Sequence, residues 1–139
     1  MWRWHGNPTG IPRTEYCLAN SMLTLYPTIR FIILNDDLGR FHALNGRPGE
    51  FELGDPVNFS KDDLYFSAGA GWAFLCYHEQ LHLMKESGTR IYLVFYDLIP
   101  LKFPYFYENG ADFGNYYGDW CQESFSLCDG AFGISECTK

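Results

Sequence analysis

No stretch of this sequence approaches the roughly 18 consecutive apolar residues that a membrane-spanning helix requires, and no run of Lys and Arg occurs anywhere along it. The first absence leaves no candidate transmembrane segment. The second, with 17 acidic residues against 10 basic ones and a formal net charge of −7, argues against a nucleic-acid partner or an anionic membrane surface, because phosphate binding needs clustered cations. Paired cysteines are lacking too. Cys17, Cys76, Cys121, Cys128 and Cys137 are odd in number, widely spaced and without a C-x-x-C pair. That usage suits reduced, mostly buried thiols in a cytosolic protein rather than a disulfide scaffold. The opening Met1-Trp2-Arg3-Trp4-His5 is followed by no apolar segment, so no signal peptide is expected. The expected location is cytoplasmic.

What is present is apolar and aromatic. Hydrophobic residues make up 47% and aromatics 19% of the chain, a globular rather than a disordered composition. Its 139 residues suffice for one domain with a core and not for two, so residues 1–139 are expected to form a single domain. Leu18, Met22, Leu25 and Tyr26 recur at helical spacing and predict a helix over Thr14–Tyr26, opened near Pro12 and stopped by Pro27. Arg30–Asn35 reads as a strand ending in a turn. Leu38–Asn58 holds four glycines and two prolines and reads as loop, with a small strand over Arg40–Leu44. Leu64–Ala68 is the next strand, and Trp72–Glu86 a second helix closed by Ser87-Gly88. Arg90–Tyr96 is nearly continuously apolar, the pattern of a strand with helices over both faces. An aromatic loop follows at Phe103–Tyr107, then a glycine-containing helix over Ala111–Cys128 and a last strand over Ala131–Ser135.

Alternating strands and helices predict an α/β fold with an open, mostly parallel sheet and helices on both faces. Ligands of such sheets bind beyond the carboxyl ends of the strands. Those ends are Asn35-Asp36, Gly69-Ala70-Gly71, Tyr96-Asp97 and Ser135-Glu136.

Three segments, in this order, resemble the amino-terminal half of a retaining glycosyltransferase of the GT-B, group-1 (mannosyltransferase-like) kind. Thr9-Gly10-Ile11-Pro12-Arg13-Thr14-Glu15 is similar to the TGI-x-R loop that leads into the family's first helix. Tyr96-Asp97-Leu98-Ile99-Pro100-Leu101, with Phe103-Pro104-Tyr105-Phe106 behind it, is similar to the (H/Y)DLIPL…P-x-(Y/W)-F stretch and is the most specific of the three. Asp129-Gly130-Ala131-Phe132-Gly133-Ile134-Ser135-Glu136 is similar to the strand that precedes the interdomain region. The resemblance implies a Rossmann-like, acceptor-side half of the fold, and a nucleotide-sugar donor such as a GDP- or UDP-hexose held by a carboxy-terminal domain that this sequence does not contain. It implies a saccharide or glycolipid acceptor, no cofactor, and a station in the cytoplasm or at the inner face of the membrane. The family's first strand, expected ahead of the TGI-x-R loop, has no counterpart in the eight residues standing there, so the chain reads as a piece of the whole enzyme.

Asp97 is the candidate catalytic residue: a carboxylate at the mouth of a parallel sheet can orient an acceptor hydroxyl or take its proton. The alternative is an Asp that satisfies loop N–H groups before Ile99-Pro100. Thr9, Gly10, Arg13, Gly69, Gly71, Tyr96, Ser135 and Glu136 are the candidate substrate-binding residues. Each has a plainer reading: turn glycines, a surface ion pair for Arg13, a core tyrosine for Tyr96, a helix cap for Ser135. Asp36-Asp37 reads as a pair of solvated turn residues.

His78-Glu79-Gln80-Leu81-His82 spells HExxH, in which two His four apart on a helix can hold zinc with the Glu as general base. The helical wheel argues otherwise. Counting about 100° per residue from Trp72, His78, His82 and Lys85 fall at about 240°, 280° and 220°, while Cys76, Leu83, Met84 and Tyr77 fall between about 20° and 140°. The histidines thus share the charged face, and no third ligand follows at a zinc-protease spacing. The expectation is no metal, with a His78/His82 zinc hydrolase and a non-catalytic module completed by a separate chain as alternatives.

Overall fold

The computed structural model describes residues 10–134. Among them two compact units are distinguished: one runs up to Asn58 and includes Ala68–Gln80, the other holds Phe59–Ser67 and Leu81 onward. The fold is α/β, with one antiparallel and one parallel three-stranded sheet.

The first unit opens with helix α1 (Gly10–Leu25). Pro12 lies in its first turn, where a missing N–H leaves no bond unmade. Tyr26 N–H still reaches Met22 O at 2.7 Å, and Pro27 stops the run. Ile11, Glu15, Leu18 and Met22 recur along one half-buried stripe, the spacing of a single helix face.

Strand β1 (Phe31–Asn35) then turns back into β2 (Arg40–Asn45), and β2 pairs with β3 (Glu52–Pro56), all antiparallel. The turn is built locally. Asn35 Oδ1 accepts Leu38 N–H at 3.2 Å, Asp36 O accepts Gly39 N–H at 3.3 Å, and Gly39 takes the left-handed φ of +61° that closes the hairpin. This corrects two expectations. The Gly- and Pro-rich stretch over Leu38–Asn58 holds, besides the expected strand near Arg40–Leu44, the strand β3, because the β2 ladder supplies partners to a segment with poor strand propensity of its own, and Pro56 sits at a strand end where its missing donor is tolerated. Asn35-Asp36 therefore ends an antiparallel strand and does not join the carboxyl edge of the parallel sheet.

Asp36 is not an idle turn residue either. It is exposed, yet its carboxylate accepts Leu75 N–H at 3.2 Å, Cys76 N–H at 3.1 Å and the Cys76 thiol at 3.0 Å. These are donors at the start of helix α2 (Tyr77–Glu86), so Asp36 caps α2 from a distant turn. The Cys76 thiol bond, then the two N–H bonds, hold the Asp36 carboxyl below its ordinary value of 3.8. A carboxyl lowered on folding contributes stability above its unfolded pKa and loses it as pH falls through the folded one. Asp36→Ala should therefore lower the melting temperature at pH 7, and the gap to the parent should narrow on acidification below about pH 4. Melts at pH 7 and pH 3 check this; an equal gap at both would mean that the cap is not ionic.

The expected helix over Trp72–Glu86 is shorter than its periodicity suggests. A single 3₁₀ turn covers Gly71–Ala73, Phe74 is extended, and α2 starts only at Tyr77. Its end is as expected: Gly88 at φ +83° places Thr89 N–H on Met84 O and its own N–H on Lys85 O, both at 3.0 Å, the paired bonds of a glycine C-terminal stop.

The second unit carries the parallel sheet, β4 (Leu64–Ser67), β5 (Arg90–Phe95) and β6 (Gly130–Gly133), in the order β4-β5-β6. In the chain, α2 falls between β4 and β5, while α3 (Ile99–Lys102) and α4 (Gly110–Leu127) fall between β5 and β6. Along β5 burial alternates: Ile91, Leu93 and Phe95 are buried, Tyr92 and Val94 half-buried. Phe95 stacks on Phe125 at 4.0 Å and lies 5.8 Å from Trp120, both on α4. The opposite face carries Phe66, Tyr92 and Phe132, with Phe132 6.2 and 6.3 Å from the other two rings. Leu64 and Phe132 there are about half exposed, 52% each. The expectation of an open sheet with helices on both faces is thus corrected: among the described residues the parallel sheet has three strands, and its two faces are unequal.

Asp129 ties this sheet together. Its carboxylate accepts Lys85 Nζ at 2.6 Å and Ile91 N–H at 2.8 Å, and its own N–H reaches Ile91 O at 2.7 Å. The Lys85 bond, followed by that of Ile91, holds its carboxyl below the usual range. No helix among the described residues is long and apolar enough to cross a membrane.

Candidate functional site

Strand β5 is the middle strand of the parallel sheet, and its carboxyl end runs directly into Tyr96 and Asp97. Tyr96 is buried at 7% exposure, which places its ring in the core. Asp97 is half-buried. Its Oδ1 accepts Ile99 N–H at 2.9 Å, the two-residue Asx bond that starts a turn. Its backbone carbonyl accepts the Tyr117 hydroxyl at 3.0 Å. Burial, first among several causes, raises the Tyr117 phenol well above its ordinary range, so it remains a donor and pins the strand end to α4. The bland reading of Asp97, a carboxylate that satisfies the loop, is therefore realised by one of its oxygens. Among the described residues Oδ2 takes no hydrogen bond.

The expected aromatic loop over Phe103–Tyr107 contains a 3₁₀ turn, and a short helix precedes it. Lys102 N–H and Phe103 N–H reach Leu98 O and Ile99 O at 2.9 and 2.8 Å, which makes α3. Phe106 and Tyr107 N–H then reach Phe103 O and Pro104 O at 3.1 and 3.0 Å, a 3₁₀ turn over Pro104–Phe106. Both turns lie against α4 along a stripe of glycines. A Cβ on Gly110 would stand 2.8 Å from Pro104 O, one on Gly114 2.8 Å from Pro100 O, and one on Gly118 2.8 Å from a Leu101 methyl. Gly110, Gly114 and Gly118 recur every fourth residue, on one helix face. They let the backbone of the strand-end segment approach where any side chain would hold it off.

That approach leaves three rings on the outside. Phe103, Tyr105 and Phe106 are 43%, 72% and 70% exposed. They pack on one another with centroids 6.1, 6.0 and 4.7 Å apart.

The other predicted residues divide between the units. Gly10 starts α1 at φ +61° with open space around it, and Arg13 is exposed three residues on. Gly69 is half-buried and Gly71 buried at the head of the 3₁₀ turn; all four belong to the first unit, Tyr96 and Asp97 to the second. Thr9, Ser135 and Glu136 lie outside the described residues. On α2, His82 is exposed and pairs with Glu123 Oε1 at 3.2 Å, and His78 packs beside Tyr77 at 6.0 Å. The buried residues are Tyr77, Gln80, Leu81 and Met84, an arc from about 80° to about 180° on the same wheel. Leu83, expected inside, is 50% exposed. Among the described residues no three His, Cys, Asp or Glu side chains gather where they could hold one metal ion.

Of the four described cysteines only Cys121 is fully buried, Cys76 and Cys128 are partly so, and Cys17 is exposed; all four are free. Burial, reinforced by the Asp36 carboxylate, pushes the Cys76 thiol up to about 11, which disfavours the reactive thiolate.

One titratable group went unnoticed in the sequence. Glu15 lies on the half-buried stripe of α1, and burial pushes its carboxyl up to about 7. The signal was an acid at helical spacing among Ile11, Leu18 and Met22. The glycine stripe was the second omission, and its four-residue recurrence was the signal. The chain matches no protein-family profile, no curated protein and no solved structure.

Proposed function

We propose that this chain is the acceptor-binding half of a retaining glycosyltransferase, transferring a hexose from a nucleotide sugar to a glycan or glycolipid. The parallel order β4-β5-β6, with helices in the connections, is the feature of the fold that supports a Rossmann-like half of a GT-B fold. The observation that carries the reading is Asp97: it stands at the carboxyl end of the middle parallel strand, inside the segment that most resembles the family, with Oδ1 committed to Ile99 N–H. In the proposed reaction Oδ2 orients the acceptor hydroxyl and takes its proton as the new glycosidic bond forms, while the bond between the anomeric carbon and the phosphate oxygen breaks and the nucleoside diphosphate leaves with that electron pair. The nucleotide sugar is held by a second, donor-binding domain, and the proposed setting is the cytoplasm or the inner face of the membrane. The second reading is a non-catalytic binding module completed by a separate chain.

On this reading the purified 139-residue chain should turn over no nucleotide sugar by itself. Incubation with GDP-mannose and with UDP-glucose, followed by chromatography of released nucleotide, checks this. Robust release would remove the acceptor-half assignment.

A further inference from the structure

Exposed aromatic rings normally cost solubility, and a cluster of them held in a fixed geometry marks a binding surface. Phe103, Tyr105 and Phe106 are such a cluster. The segment beneath them is fixed by the Asp97 turn, by Pro100 and Pro104, and by contact with Gly110 and Gly114 of α4. Their geometry is therefore set before any ligand arrives, which lowers the ordering cost of binding.

Charge narrows the ligand. From Asp97 to Tyr116 the chain carries Asp97, Glu108 and Asp112 against Lys102 alone, so a nucleotide or an anionic lipid is repelled. A ring face is the negative side of its quadrupole and attracts weakly positive C–H groups. Carboxylates accept strong hydrogen bonds from hydroxyls. A neutral ligand with a C–H face and a rim of hydroxyl donors answers both features, and a pyranoside has that shape. We infer that Phe103, Tyr105 and Phe106 form a stacking platform for a neutral pyranoside, with the exposed Glu108 and Asp112 of the segment that follows as its hydroxyl acceptors. Naming that sugar the acceptor rests on the glycosyltransferase reading; the binding itself does not.

The test is titration of the full chain with maltohexaose, cellohexaose and mannohexaose, followed by NMR or calorimetry. At least one should bind, and Tyr105→Ala or Phe106→Ala should weaken it by about three- to tenfold each. Phe106→Trp should retain it. Because these two rings are largely exposed, the alanine variants should melt with the parent. No binding of any of the three sugars, or binding equal in parent and alanine variants, overturns the platform. So does ring-dependent binding to phosphatidylcholine vesicles, or ring-dependent self-association, with no response to sugar. Ring-dependent sugar binding without transfer in the two-domain enzyme would keep the platform and remove the transferase. Transfer indifferent to the rings would do the reverse.

Discussion

Gly114→Ala should destabilise the second unit by about 1–3 kcal/mol, although alanine is the better helix former. Helix propensity alone favours the change by about 1 kcal/mol. Against it stands a steric conflict. The added Cβ would lie 2.8 Å from Pro100 O and 3.3 Å from Pro104 Cβ. A backbone carbonyl that follows the turn fixed by Asp97 and Tyr117 cannot give way cheaply, so α3 must move off α4 or the helix must bend. Gly118→Ala is the internal control. Its Cβ would also come to 2.8 Å, but from a terminal methyl of Leu101, which is 40% exposed and can rotate aside. That variant should lie within about 1 kcal/mol of the parent. Urea denaturation of the two variants side by side checks the pair. A Gly114→Ala protein as stable as Gly118→Ala would show that α3 does not need the close approach.

That glycine stripe illustrates what was legible in the sequence and what was not. Helix α1, strand β5 and the stop of α2 at Gly88 could be read directly, since periodicity and capping chemistry are local. The spacing of Gly110, Gly114 and Gly118 was equally visible, but it gains meaning only with the segment that lies on it. The cap on α2 was hidden for the same reason: Asp36 stands 39 and 40 residues before the N–H groups it serves. The second hairpin was missed because glycine and proline weaken the local strand signal of Glu52–Pro56, while cross-strand pairing with β2 overrides it. At the site, the position of Asp97 followed from the end of a strong apolar strand. Its turn bond was foreseen as the plainer of two readings, and the structure gives that reading one oxygen rather than the whole carboxylate.

Asp97 also carries the largest expected effect on activity. In an enzyme made by joining this chain to a nucleotide-sugar-binding domain, Asp97→Ala should slow transfer by about one to three orders of magnitude, as expected for loss of a general base. Loss of the Ile99 N–H acceptor should cost about 0.5–2 kcal/mol of stability in addition. The two effects separate with Asp97→Asn, whose amide oxygen can keep the turn bond while the amide cannot take a proton. That variant should melt close to the parent and remain slow. The deciding measurement is therefore transfer of labelled hexose from GDP- or UDP-hexose to a neutral saccharide acceptor, per folded molecule, by the parent and the Asp97→Asn enzyme on matched preparations. The proposed function predicts transfer by the parent that falls by about tenfold or more in the variant. Equal specific activity in the two would remove Asp97 from the chemistry and contradict the proposal.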